Sequence, residues 1–262
     1  MPLRHLLTVV FALAVQGMVS QLPAQEGYES RMFRTQDDKS LPYCLLTPAN
    51  FRPDADQKYP LVIFLHGAGE RGTDNRAQLV HCTGKFLEPD VRKEFPCFVI
   101  APQCPQGQRW VEVDWGLDRH DMPEQPSEPL ALVTQLVDQL QMNLPIDSRR
   151  IYVMGLSMGG YGTWDLVCRQ PSRFAAAVPI CGGADEAQAP RIAKVPVWAF
   201  HGDKDTVVKP ERSRRMIEAL KTAGAMPKYT EYPGVGHNSW SPAINEPGLL
   251  EWLFAQQLAE SK

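Results

Sequence analysis

The chain has 262 residues, 44% of them hydrophobic and 22% charged, with a formal net charge of -3. That length suits one large α/β domain or two small ones, and the composition is that of an ordinary globular protein. The slight acidity excludes the electrostatic footprint of a nucleic-acid binder, and there is no Gly/Ser linker and no repeat of solenoid or propeller length.

Residues 1–24 differ in kind from the rest. "MPLRH" is a short basic start, "LLTVVFALAV" is apolar apart from Thr8, and small or polar residues follow in "QGMVSQLPAQ". This is the three-part pattern of a secretory signal peptide, with cleavage after Gly17, Ser20 or Ala24. The apolar run is short for a bilayer span. Residues 25–262 then form one exported domain, periplasmic or extracellular. Export affects how the cysteines are read. Cys44, Cys82, Cys97, Cys104, Cys168 and Cys181 are an even set in an oxidising compartment, which leads us to expect one or two disulfides. Cys97, beside an apolar run, can equally be a buried thiol. No cysteine or histidine cluster has zinc spacing, so no metal is expected.

The elements follow in chain order. "YESRMFRT" (28–35) and "PYCLLTP" (42–48) read as an antiparallel edge pair. "YPLVIFLHG" (59–67) is an unbroken apolar run ending in glycine, the mark of a strand buried on both faces. "CFVIAPQ" (97–103), "RIYVMG" (150–155), "FAAAVPICGG" (174–183) and "VPVWAFHG" (195–202) are of the same kind. "PKYTEYPG" (227–234) is more polar and belongs nearer an edge. Between these runs, 127–143, 158–170, 210–224 and 247–260 carry helical spacing, with Ser127 as a cap and Pro171 as a stop. Alternating strand and helix means an α/β fold with a mainly parallel sheet and right-handed crossovers. The irregular stretch 103–129, rich in Pro, Asp and Trp, follows a strand end and is a candidate lid, substrate wall or plain connector.

The chemistry gathers at "GLSMGG". Gly155 and Gly159 flank Ser157 at a strand-to-helix turn, the G-x-S-x-G nucleophile-elbow pattern. Serine needs a base and an orienting acid, in the chain order Ser, Asp, His. Asp205 in "GDKDTVV" and His237 in "GVGHNSW" both lie in loops after strands, at the same sheet edge as Ser157. Asp203 competes with Asp205 and reads as a turn cap. His66 and His201, each before a glycine at a strand end, read as structural, and His81 and His120 lack matching context. The oxyanion donors are the backbone N–H groups of Met158 and of Ala68 in "HGAGERG", with Gly69 second to Ala68. Glu70 and Arg71 brace that loop. Trp110, Tyr161 and Trp240 are the candidate substrate-binding aromatics.

The set "LHGAGERG", "GLSMGG", "HGDKDTVV" and "GHNSW" resembles the α/β-hydrolase superfamily. More narrowly, it is similar to secreted bacterial esterases and peptidases grouped with phospholipase/carboxylesterase and prolyl-oligopeptidase-type catalytic domains. The resemblance implies a single α/β-hydrolase domain. It also implies Ser157 as nucleophile, Asp205 as acid, His237 as base, and Met158 with Ala68 at the oxyanion. The expected reaction is cofactor-free hydrolysis of a small-molecule or polysaccharide-linked ester, such as an acetyl or feruloyl ester. A peptidase or thioesterase would share the triad, and a binding protein on an inactive hydrolase scaffold is the non-enzymatic alternative.

Overall fold

The computed structural model describes residues 27–53 and 56–259. The signal-peptide expectation therefore lies outside the described residues.

Eight strands form one sheet: β1 (Glu29–Arg34), β2 (Ser40–Leu46), β3 (Tyr59–Leu65), β4 (Phe98–Pro102), β5 (Ile146–Leu156), β6 (Ala176–Ile180), β7 (Trp198–Gly202) and β8 (Lys228–Tyr232). Their spatial order is β1-β2-β4-β3-β5-β6-β7-β8. The first two pairings, β1 with β2 and β2 with β4, are antiparallel, and the rest are parallel. The helices are α1 (Pro89–Glu94), α2 (Glu128–Asn143), α3 (Met158–Arg169), α4 (Ala189–Ile192), α5 (Glu211–Thr222), α6 (Trp240–Ala243) and α7 (Leu249–Ala255). No described helix is long and apolar enough to cross a membrane.

The period of two in β3 divides the core into two layers. Leu61, Ile63 and Leu65 join α2 and α3 on one face, while Val62 and Phe64 join α7 on the other. Both faces are covered, which is why the central strands carry no polar alternation. Strand β3 has β4 on one side and β5 on the other, so the chain reverses its direction of travel across the sheet there. Ligand crevices form beyond the strand C-termini at such a switch point. The turn after β3 and the elbow after β5 meet there.

The closing helix is shorter than the 247–260 pattern predicts. It begins after Gly248, which caps it with φ 79°, and stops at Ala255 because Gln256 is extended. Tertiary bonds take over: the Tyr152 hydroxyl donates to the Gln256 carbonyl at 2.8 Å, and the Leu258 N–H donates to the Arg149 carbonyl at 3.0 Å. The stretch 103–127 is neither a loose connector nor a free lid. Trp110 and Val111 are buried within it, and Arg212 of α5 donates to the Leu117 carbonyl at 2.8 Å.

The expected disulfides are absent: all six cysteines are free thiols. Cys104 and Cys168 lie in one core layer and Cys44, Cys97 and Cys181 in the other, with Cys82 packed against the second, so the sheet keeps the first pair from the other four. Burial pushes the thiols of Cys97, Cys104 and Cys168 up to about 12, which makes them poor nucleophiles.

Candidate active site

Ser157 is the single residue between β5 and α3, and it turns the chain at φ 51° and ψ -117°. A non-glycine residue in such a conformation costs of order 1–3 kcal/mol, and the surrounding packing must hold it. The glycines allow that packing. A Cβ on Gly155 would overlap the Gly159 carbonyl, and one on Gly159 would overlap the Leu65 carbonyl. A Cβ on Gly160 would stand 2.5 Å from the Ile180 carbonyl oxygen. Helix α3 therefore presses backbone to backbone on the sheet, and the Ser157 N–H donates to the Ile180 carbonyl at 2.9 Å.

The structure brings the three predicted side chains together. His237 Nε2 lies 2.8 Å from Ser157 Oγ, and His237 Nδ1 lies 2.7 Å from Asp205 Oδ2. Asp205 is fixed by its own turn, because Oδ1 accepts the N–H groups of Val207 and Val208 at 2.8 and 2.9 Å. Burial pushes the Asp205 carboxyl up. Hydrogen bonds from His201, His237 and the Val208 N–H outweigh it and hold the group well below the usual carboxylate range. An anionic Asp205 keeps the proton on His237 Nδ1 and leaves Nε2 free to accept from Ser157. Asp203 stays out of the relay: its Oδ1 accepts the Gly234 N–H of the loop after β8 at 2.6 Å, a long-range bond in place of the local turn cap its sequence context suggests.

Sequence reasoning missed part of what His201 does. The ring is fully buried, with Nε2 at 2.8 Å from the Val208 carbonyl and Nδ1 at 2.7 Å from Ser213 Oγ. Nε2 also lies 3.3 Å from Asp205 Oδ2, so two imidazoles share one carboxylate oxygen. The signal was the four-residue spacing in "HGDKD", which only the turn after β7 converts into contact.

Met158 is the first residue of α3, and Ala68 opens a single 3₁₀ turn, Ala68–Glu70, after β3. First residues of helical turns have N–H groups with no intrahelical acceptor, which suits an oxyanion hole. Arg71 braces this turn through Nε to the Ala68 carbonyl at 2.8 Å. His66 also braces it. Its Nε2 accepts the Cys104 N–H at 2.9 Å, and burial lowers its pKa to about 4.

Two predicted substrate contacts are corrected. Trp110 is fully buried, and its indole N–H donates to the His66 carbonyl at 3.0 Å, so it anchors the start of the turn after β3. Tyr161 is 1% exposed, with its ring beneath the Arg212 guanidinium, and is core. Gly162 of α3 leaves the room that Trp110 occupies, since a Cβ there would stand 2.8 Å from the Trp110 Cβ. Trp240 is different. It is partly exposed and stands edge-on to His237, ring centroids 5.4 Å apart at 89°.

The sequence profile of the phospholipase/carboxylesterase family matches residues 49–246. The chain belongs to that family. This places it among ester hydrolases. A rice protein (Oryza sativa subsp. japonica) named "Probable carboxylesterase Os04g0669500" is 27% identical over 209 residues, covering 74% of this chain and 77% of that one. The bifunctional acetylxylan esterase/xylanase XynS20E of Neocallimastix patriciarum is 36% identical over 80 residues, 29% of this chain and 11% of its own length. Among solved structures, a thermostable esterase superposes with a TM-score of 0.80 at 39% identity over 88% of this chain. This chain spans 63% of that esterase's length.

Proposed function

We propose that the protein is an exported serine carboxylesterase that works through an acyl-enzyme on Ser157. The observation that carries this reading is the unbroken relay from Ser157 Oγ through His237 to Asp205 at 2.8 and 2.7 Å. His237 Nε2 takes the Ser157 proton as Oγ attacks the ester carbonyl. Asp205 stabilises the imidazolium and fixes its orientation. The N–H groups of Met158 and Ala68 hold the oxyanion. The imidazolium then protonates the departing alkoxide, and a water activated by His237 releases the acid. All the groups are the chain's own, and no step calls for a metal or cofactor. The intact relay favours catalysis over a binding role on an inactive scaffold. The N-terminal pattern and the likeness to an acetylxylan esterase support a small acyl group on a polysaccharide as substrate.

The test is labelling with a fluorophosphonate probe together with p-nitrophenyl acetate hydrolysis. Wild type is expected to do both. Ser157→Ala is expected to do neither while keeping its thermal transition. Labelling or near-wild-type turnover by that variant would overturn the assignment.

A further inference from the structure

We propose that Trp240, His81 and Glu70 form a subsite for the leaving alcohol of the ester, and that this alcohol is a hydroxyl-bearing ring, a sugar or cyclic polyol. The inference rests on the serine esterase reading and names the residues that would receive the alcohol half of that ester. His237 Nε2 must hand its proton to the departing oxygen, so the alcohol lies against that imidazole. Trp240 stands edge-on to the same imidazole. Beyond it the His81 ring lies 5.3 Å from Trp240, centroid to centroid, tilted by 46°. Both rings are partly exposed, with the His81 side chain 34% accessible.

Two further observations set this wall apart from ordinary packing. The Glu70 carboxylate comes from the turn that carries the oxyanion donor Ala68, and its Oε1 lies 3.7 Å from His81 Nε2. Its other oxygen, Oε2, is buried with no hydrogen-bond partner among the described residues. That oxygen lies 4.0 Å from His66 Nδ1 at the foot of the same turn, and an unpaired acceptor there is open to a water or to an incoming hydroxyl. The second observation is the backbone that presents His81. The Thr83 N–H donates to the His81 carbonyl at 2.6 Å around Cys82, whose φ of 61° and ψ of -39° make a strained γ-turn. The Cys82 thiol in turn lies 4.0 Å from the Trp240 carbonyl, which couples the turn to the wall. Strain of this sort persists where surroundings over-determine it, and it gathers at ligand sites.

The chemistry selects the alcohol. An indole face alone would serve any flat apolar group. An imidazole and a carboxylate beside it, one oxygen unpartnered, serve a ring that carries hydroxyls: the C–H face packs on Trp240 and the hydroxyls meet His81 and Glu70.

Two esters with one acyl group and different alcohols separate the possibilities: p-nitrophenyl acetate and a monoacetylated methyl xyloside. His81→Ala and Glu70→Gln are each expected to lower the ratio of kcat/KM, xyloside ester over p-nitrophenyl ester, by about tenfold, chiefly through KM. Unacetylated methyl xyloside should compete with p-nitrophenyl acetate in wild type and much less in both variants. Glu70→Gln keeps its size and decides the matter even where His81→Ala fails to fold. An unchanged ratio in the folded variants overturns the subsite, as does a wild type that cleaves p-nitrophenyl acetate and leaves the xyloside ester intact. A wild type that cleaves neither ester overturns the esterase reading beneath it.

Discussion

The turn that follows β3 rests on a histidine that must stay neutral, and acid should undo it by a calculable amount. His66 Nε2 accepts the Cys104 N–H at 2.9 Å, and Nδ1 faces the Gly67 carbonyl at 2.6 Å. A proton on Nε2 would point at the Cys104 N–H, and the ring is 1% exposed. Burial therefore holds its pKa at about 4, against an ordinary value near 6.5. Below pH ~6.5 the unfolded chain takes up a proton that the folded chain refuses. This contribution is complete at higher pH, falls as pH drops from ~6.5 to ~4, and levels off below that. Between neutrality and pH ~4.5 the loss from this one ring is about 2–3 kcal/mol. His66→Gln offers an amide oxygen to the Cys104 N–H without a titrating group. Urea unfolding of both proteins at the two pH values gives the double difference. Wild type should lose about 2–3 kcal/mol more than the variant on acidification. Equal losses would refute the buried-neutral assignment.

Three more expectations follow from the site. His201 and His237 share Asp205 Oδ2, so His201→Phe removes one of the two imidazoles that hold it. His201→Phe should lower kcat by loosening the Asp205 anchor, and His201→Gln, which keeps an N–H donor, should recover it; a kcat unmoved in His201→Phe would leave His201 a packing residue. Gly159→Ala drives a methyl into the Leu65 carbonyl, a backbone atom that cannot swing away. It should cost at least about 1–3 kcal/mol in thermal or urea unfolding and depress turnover, whereas a wild-type melting curve would contradict the close approach. The thiols should resist alkylation in the native state and react in full, six per chain, after denaturation without reductant; a titre of four or two would restore the disulfides.

Much of this fold was legible because the central strands are buried on both faces. Runs such as "LVIFL" can satisfy no other environment, and glycine or proline punctuates each of them. The ends of elements were less legible. Strand β5 starts at Ile146 rather than 150 because Tyr59 of β3 pairs with Ile146, a partner far away in sequence. Helix α7 yields its last turn to bonds from Tyr152 and Arg149 for the same reason. Turn position and chain order point to Ser157, Asp205 and His237 as the proposed triad, and these side chains lie within hydrogen-bond distance of one another. The aromatic contacts were not legible, since residue type alone does not say whether a tryptophan anchors a turn, as Trp110 does, or stands beside an imidazole, as Trp240 does.

Backbone strain is what the sequence hides best, and it marks the site independently of the triad. Among the described residues, six non-glycines have positive φ: Asp38, Asn50, Asn75, Cys82, Ser157 and Cys181. The first three are Asp or Asn, whose short polar side chains tolerate this region in ordinary turns. The other three are a serine and two cysteines with no such excuse. Ser157 is the elbow. Cys181 follows β6, and its thiol lies within 4.8 Å of ligand atoms on Asp205 and His237. Cys82 is the centre of the turn that sets His81 against Trp240. The three come from separate connections: Ser157 and Cys181 lie against the His237 imidazole, and Cys82 is linked to it through Trp240. A fold that merely needed compactness would have little reason to concentrate its unfavourable backbone there. A fold that must hold a nucleophile, a relay and an alcohol-side wall in fixed relation has that reason, and it places Cys82, which no catalytic motif mentions, in the same functional unit as Ser157.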